Sequence, residues 1–161
     1  MFREMRRKGQ QLSREDCTKI LEAGTSGVLA VLGDDSYPYA VPLSYVYQDG
    51  KFFFHCARSD HKLDAIAAHS KASFCVIAQD QVVPEEYTTY FRSVIAFGTA
   101  RLLEGEEKRA AIRCLAAKYA PEFPEGREAE IEKEFSHLCM IELAVEHMTG
   151  KEAIELVGKR S

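Results

Sequence analysis

Two strand-like runs joined by a tight turn constrain this chain more than any other feature. Residues 37–57, "YPYAVPLSYVYQDGKFFFHCA", hold an alternating run, the turn signal "QDGK" and a second apolar run. Strands joined by so short a turn must be antiparallel. In the first run Tyr37, Tyr39, Val41, Leu43, Tyr45 and Tyr47 share one face, and Ala40, Pro42, Ser44 and Val46 share the other. Pro42 has no N–H to give to a ladder, so its strand lies at a sheet edge or is interrupted there.

More strands follow the same logic. "SGVLAVLGDD" is apolar on both faces and reads as a central strand. "KASFCVIAQ" and "YFRSVIAFGTARLLEG" read as two further strands, with residues 80–89 as a polar loop between them. Gly98 marks a bulge or a close backbone approach. In "LCMIELAVEHMTG" the alternation sends Cys139, Ile141, Leu143 and Val145 to the core and Glu142 and Glu146 to solvent.

Helices are expected between the strands. One runs from Ser13 to Ala23, with Ser13 as cap, Asp16 as its capping-box partner, a Leu12–Cys17 staple and Gly24 as the stop. Another spans Ser59 to about His69. A third, "EEKRAAIRCLAAKYAPEF", turns Ile112, Leu115, Ala116 and Tyr119 inward and ends at Pro121. A shorter charged helix covers Glu125 to Phe135. The sum is a mainly β chain with flanking helices, a closed or nearly closed antiparallel barrel, because closure removes exposed strand edges.

The chain of 161 residues suits a single domain over 1–161, with residues 1–11 as a mobile arm. A net charge of −4 leaves no dominant basic field, and "RRK" at Arg6–Lys8 is too short to make a nucleic-acid binder. No apolar run reaches about 18 residues, so no membrane helix is expected, and the first residues lack a secretory apolar region. The five cysteines are scattered, with no CxxC. Free thiols and a cytoplasmic location are the expectation.

The chemistry-bearing stretch is "FFFHCARSDHKLDAIAAH", residues 52–69, with three of the five histidines. A metal site is disfavoured: His55 and Cys56 point to opposite faces of a strand, and His61 and His69 lie about 12 Å apart along a helix. A Cys56 nucleophile lacks a base on its own face, so a buried strand cysteine is preferred. An anion site uses more of the residues. A strand ends and a helix begins where Arg58, Ser59, His61 and Lys62 cluster, and cations at a helix start are unfavourable without a partner. Asp60 keeps a second reading open, because its carboxylate could cap the helix and make the corner internally neutral.

Together these residues resemble a family. The strand "PYAVPLSY", the strand end "FHCA", the helix start "HKLD", the long strand "RSVIAFGTARLL" and the ending "MTGKEAIEL" are similar, in order and spacing, to the FMN-binding split β-barrel proteins related to pyridoxamine 5′-phosphate oxidase. The likeness spans about Ser13 to Leu156 and looks nearest to the nitroimidazole-resistance branch.

The resemblance implies a six-stranded antiparallel split β-barrel of Greek-key type that forms a homodimer with FMN at the subunit interface. The flavin ring would lie along Val41, Pro42, Leu43, Ser44 and Tyr45. The phosphate would sit at the turn from His55 and Cys56 through Ala57 and Arg58 to His61 and Lys62, with Lys62 as its point charge. Arg92 and Ser93 are candidates to complete that pocket. His55 is the candidate catalytic residue beside the open face of the flavin, and a flavin-dependent oxidoreductase acting on nitroimidazole-type or similar heterocycles is the implied activity.

Two departures stand out. The family turn usually has glycine where this chain has Asp60. The R-L-x-P substrate motif of true pyridoxamine phosphate oxidases is absent, so that activity is not expected. Non-catalytic binding of FMN, or of haem as in a related branch, is the alternative.

Overall fold

Hairpin pairing builds one antiparallel sheet of seven strands in the computed structural model, which describes residues 1–159. The strands are β1 (Ser26–Leu32), β2 (Pro38–Ser44), β3 (Val46–Gln48), β4 (Lys51–Ala57), β5 (Lys71–Val83), β6 (Thr88–Leu103) and β7 (Leu138–Glu152). Their order is β2-β1-β5-β6-β7-β4-β3. Around them lie α1 (Arg14–Ala23), α2 (His61–Ala68), α3 (Gly105–Tyr119) and α4 (Pro124–Glu134).

The expected six strands become seven for a local reason. The run from Tyr37 to Tyr47 is cut at Tyr45 into β2 and β3, which stand at opposite ends of the sheet order. The hydrogen-bonded ladder is therefore open, while its two edges are joined covalently through one residue. At the cut, the Tyr45 N–H turns from any strand partner towards the Thr25 carbonyl (3.2 Å) and the Tyr119 hydroxyl (3.1 Å). The Tyr45 side chain dives into the core, where its hydroxyl donates to the Leu21 carbonyl at 2.7 Å. Tyr119 Oη has one proton, and it serves the carbonyl of Tyr45 or of Thr25, each 2.6 Å away. The end of α3 thus clamps the joint. Gly24 leaves room for it, since a Cβ there would collide with the Tyr45 hydroxyl.

Inside the curled sheet, Tyr45, Phe52, Phe54 and Phe74 are fully buried and pack edge to face or tilted, with centroids 4.9–5.3 Å apart for the Phe74 contacts and the Tyr45–Phe52 contact. A second, smaller apolar cluster lies outside the sheet, where Ala111, Ile112 and Ile131 of α3 and α4 cover Leu103 and Met140. This layer overturns the expectation for Glu142. It is 5% exposed rather than solvated, and accepts a hydrogen bond from Arg101 Nε at 3.1 Å. Alternation along a strand separates two faces but does not tell which will be roofed by a helix.

Ser13 caps α1, accepting from the Asp16 N–H at 3.1 Å. Pro42 lies in β2, an edge strand paired with β1 alone among the described residues. Gly98 sits at a register shift in the β6–β7 pairing, and a Cβ there would strike the Ala144 carbonyl. The loop expected over residues 80–89 is instead a long hairpin: β5 runs to Val83, β6 starts at Thr88, and a short 3-10 turn at Pro84–Glu86 joins them. The terminal arm, expected to be mobile, docks on the sheet, with the Phe2 ring stacked on His147 at 4.8 Å. Gln10 is buried with its Nε2 donating to the Glu152 carbonyl at 3.1 Å, and the Leu12 N–H reaches the Gly150 carbonyl at 2.9 Å.

Candidate functional site

The pleat of β4 sorts the opening motif. Phe52, Phe54 and Cys56 are buried, while His55 and Ala57 are exposed on the outer face. Burial pushes the Cys56 thiol up to about 11, so its side chain belongs to the core and leaves only its backbone for a ligand outside. His55 lies opposite Met140 in the β4–β7 register. With Ser44 of β2 it lines a cavity of about 640 Å³ roofed by α3 and α4. The helical stripe expected to face inward does so: Leu115 and Ala116 pack against the second apolar cluster and, with Tyr119, also line this cavity. Arg127 on α4 is a cavity residue that sequence reasoning missed. Its helix carried no signal beyond a solvated charged face.

Along β2 the five expected ring-binding residues divide. Val41 and Leu43 are half-buried against the core, Tyr45 is fully buried, and Pro42 and Ser44 are exposed on the outer face. An antiparallel edge strand turns alternate N–H and C=O groups away from its one neighbour. β2 therefore presents backbone donors and acceptors beside Ser44, a suitable rail for the edge of a planar heterocycle.

At the turn from β4 into α2 the capping option left open by the sequence is in place. Asp60 is the N-cap of α2, its side chain accepting from the Lys62 N–H at 3.3 Å. The same carboxylate pairs with Lys62 Nζ, and Lys62 is 5% exposed. That hydrogen bond is the main reason the Asp60 carboxyl is held below its ordinary value. The Lys62 charge is thus neutralised within the chain. His61 packs its ring against Tyr39 at 4.3 Å, and its Nε2 accepts from the Asp34 N–H at 3.4 Å. Arg58 remains exposed at the turn, next to Ser59.

Arg92 and Ser93 do not join this corner within one chain. Leu103 stands beside Met140, which stands beside His55, whereas Arg92 is at the far end of β6, opposite Glu152. Arg92 lies eleven positions before Leu103 along β6, on the order of 36 Å of contour. Arg92 donates from Nε to Glu152 Oε2 at 3.1 Å and from Nη1 to Gln79 Oε1 at 3.2 Å. Ser93 stands opposite Ile77 on β5.

Among the described residues no group of three histidine, cysteine or acidic side chains is placed to hold a metal ion, and no helix is long and apolar enough to cross a membrane.

Comparison with known proteins agrees with this architecture. The chain superposes on a candidate 5-nitroimidazole antibiotic resistance protein of Bacteroides thetaiotaomicron with a TM-score of 0.73 at 18% identity, over 88% of this chain and 86% of that one. An FAD-binding protein of Mesorhizobium loti gives 0.67 at 23% identity, over 89% and 97%. The FAD and heme binding protein of Mycobacterium smegmatis gives 0.75 at 24% identity, over 89% and 73%. At these identities the likeness is one of fold. No curated protein matches the chain by sequence. The sequence profile described as pyridoxamine 5′-phosphate oxidase matches residues 13–152, which hold all seven strands, and the chain belongs to that family.

Proposed function

We propose that the protein is an FMN-binding flavoprotein and a flavin-dependent oxidoreductase. The observation that carries the reading is the exposed backbone edge of β2 beside Ser44 and His55, in a chain of this family. The fit is good at the ring and conditional at the phosphate. The β2 edge offers the mixed donors and acceptors that a flavin pyrimidine edge needs, and the cavity wall keeps water from one side. At the turn, a phosphate meets exposed Arg58 directly but must draw Lys62 from Asp60.

FMN supplies hydride or electron transfer at its ring nitrogen N5. The chain's own residues do the rest. The backbone of Val41–Ser44 orients the ring, Arg58 and Lys62 hold the phosphate, and His55 holds a proton at a ring nitrogen for a substrate on the outer face. Nitroimidazole-type and similar electron-poor heterocycles suit such a site, because they accept electrons readily and are flat.

A homodimer completes the reading. Val28, Cys75 and Ile95 stand in register across β1, β5 and β6, with Val28 38% and Ile95 41% exposed, and Ile77 beside them is 66% exposed. An apolar strip of this kind on a sheet face fits a second copy of the chain. Ser93 lies on this strip and would approach the phosphate of the other subunit's flavin, and Arg92, next to it on the opposite face, would have to leave Glu152 to join it. Titrating the flavin-free protein with FMN tests the reading: saturable quenching of flavin fluorescence at one FMN per chain is expected. Absence of saturation, or saturable haem binding in its place, read as a shifted and sharpened Soret band, contradicts it.

A further inference from the structure

Two thiols meet beneath the turn that carries Arg58, Asp60 and Lys62. Cys56 of β4 and Cys139 of β7 stand directly opposite each other in the antiparallel register. Residues so paired project to the same face of the sheet. Here that face is the inner one, where Cys56 belongs to the main apolar cluster and Cys139 packs against it. No disulfide joins them, and the other three cysteines lie on α1, β5 and α3. The Val145 N–H reaches the Gly50 carbonyl at 2.9 Å, which makes Gly50 and Val145 a hydrogen-bonded pair. Every second pair along that ladder is of the same kind, and Cys56–Cys139 is one of them. Its Cα atoms are therefore about 5.5 Å apart, inside the span of about 4.4–6.8 Å that a disulfide bridges. The Cβ atoms of such a pair stand toward the upper end of about 4.5–5.5 Å, wider than the roughly 3.5–4.5 Å of a relaxed bridge. Closing it draws the strands together by on the order of 1 Å, and strained bridges are the easily reduced ones. Ala57 and Leu138 form the last pair of the ladder, so the cysteines sit one pair from its end, where such a movement is least resisted.

We infer that Cys56 and Cys139 are a reversible dithiol–disulfide site, oxidised by hydroperoxides, with Cys139 as the attacking thiol and Cys56 as the resolving one. The roles follow from exposure. Cys139 is partly exposed and can meet a small oxidant, while Cys56 is buried. Burial also pushes the Cys56 thiol up to about 11, which makes it a poor first nucleophile. With hydrogen peroxide, the Cys139 sulfur attacks one oxygen, the O–O bond breaks, and the sulfur becomes a sulfenic acid as water leaves. The Cys56 sulfur then attacks the sulfenic sulfur, its proton goes to the departing hydroxyl, and a second water leaves as the S–S bond forms. The two sulfurs give up two electrons and the peroxide takes them. A thiol such as glutathione restores both cysteines by exchange through a mixed disulfide. The bridge ties β4 to β7 directly before the turn, and Lys62 and Asp60 already act electrostatically on the Cys56 thiol. Closing it therefore reaches the groups proposed to meet a phosphate. The chemistry itself needs no flavin, so it and the flavin reading fail separately.

Hydrogen peroxide added to the reduced, flavin-free protein tests this by mass spectrometry. Each chain is expected to lose two hydrogens, and a digest made without reductant to contain a peptide pair linked through Cys56 and Cys139. Glutathione is expected to reopen the bridge in the folded protein. Cys56→Ala is expected to leave Cys139 as a sulfenic acid that dimedone traps, with the linked pair gone. Cys139→Ala is expected to leave Cys56 a thiol and to slow its oxidation by about tenfold or more. Should either variant fail to fold, the unsubstituted protein carries the test, because the linked peptides are read without any substitution. Both cysteines remaining thiols under peroxide overturns the inference. So does a link from either to Cys17, Cys75 or Cys114 or between two chains, Cys139 left reduced in Cys56→Ala, or a bridge that glutathione opens only in urea.

Discussion

Asp60 and Lys62 close an ion pair across the first turn of α2, and the same aspartate caps that helix. The pair sits where a phosphate is proposed to bind, so it sets both the local stability and the strength of that site. Removing Lys62 takes away the phosphate's buried cation. Lys62→Ala is expected to weaken FMN binding by about 1.5–3 kcal/mol, the range for a hydrogen bond to a charged group. A fluorescence titration with unchanged affinity removes Lys62 from the site.

The aspartate acts in the opposite sense. Asp60→Asn keeps a good N-cap side chain while releasing Lys62. FMN should bind this variant more tightly, by about tenfold. Asp60→Gly should bind at least as tightly as the parent. Weaker binding by Asp60→Asn would mean that the carboxylate positions Lys62 for the phosphate rather than competing with it.

The pair also has a pH signature. Asp60 has a folded value below its ordinary 3.8, so its contribution to stability is in place above that value and is lost as the pH falls through the lower folded one. The stability gap between the parent and Asp60→Asn, from urea melts, should therefore be constant near neutrality and shrink below about pH 4. A gap that closes between pH 5 and 7 would assign the linkage to another group.

Tyr119 holds the joint between β2 and β3 through one hydroxyl that meets both polar groups of the Tyr45 backbone. Tyr119→Phe should lower stability by about 1–2 kcal/mol, because the phenyl ring still fits while the backbone groups lose a partner. Urea denaturation measures it, and a change below about 0.3 kcal/mol would show that water replaces the hydroxyl at no cost.

Cys56, with its thiol pushed up to about 11 by burial, should resist alkylation in the folded protein. At pH 8 about one thiol in a thousand would be ionised. Iodoacetamide followed by peptide mass spectrometry should find Cys56 unmodified until urea is added. Rapid modification without urea would place the side chain outside the core.

Much of the sheet was legible in the residues. The hairpin turn at residues 48–51, the Ser13 cap, the edge position that Pro42 allows and the bulge at Gly98 all follow from local rules, and each is present. What was not legible depends on distant contacts. The break at Tyr45 is made by Tyr119 and Thr25, far away in sequence. Glu142 is buried beside α3, which folds over an outer face, and periodicity cannot announce a roof. At the candidate site, the crowding of charge at residues 58–62 was visible, and so was the option that Asp60 caps the helix. The choice between an internal partner and an external anion was not, because it turns on a rotamer of Lys62. The cavity escaped notice because a stripe of Leu115, Ala116 and Tyr119 looks the same whether it meets core or a ligand.

The central claim is that an anion settles at the β4–α2 turn and anchors a flavin ring on the β2 edge. Comparing FMN with riboflavin by isothermal titration tests it most directly, since the two differ by the phosphate alone. FMN is expected to bind at least tenfold more tightly, with the preference largely lost in Lys62→Ala. Equal affinity for the two flavins, or a preference for FMN that survives Lys62→Ala and Arg58→Ala together, would contradict the account.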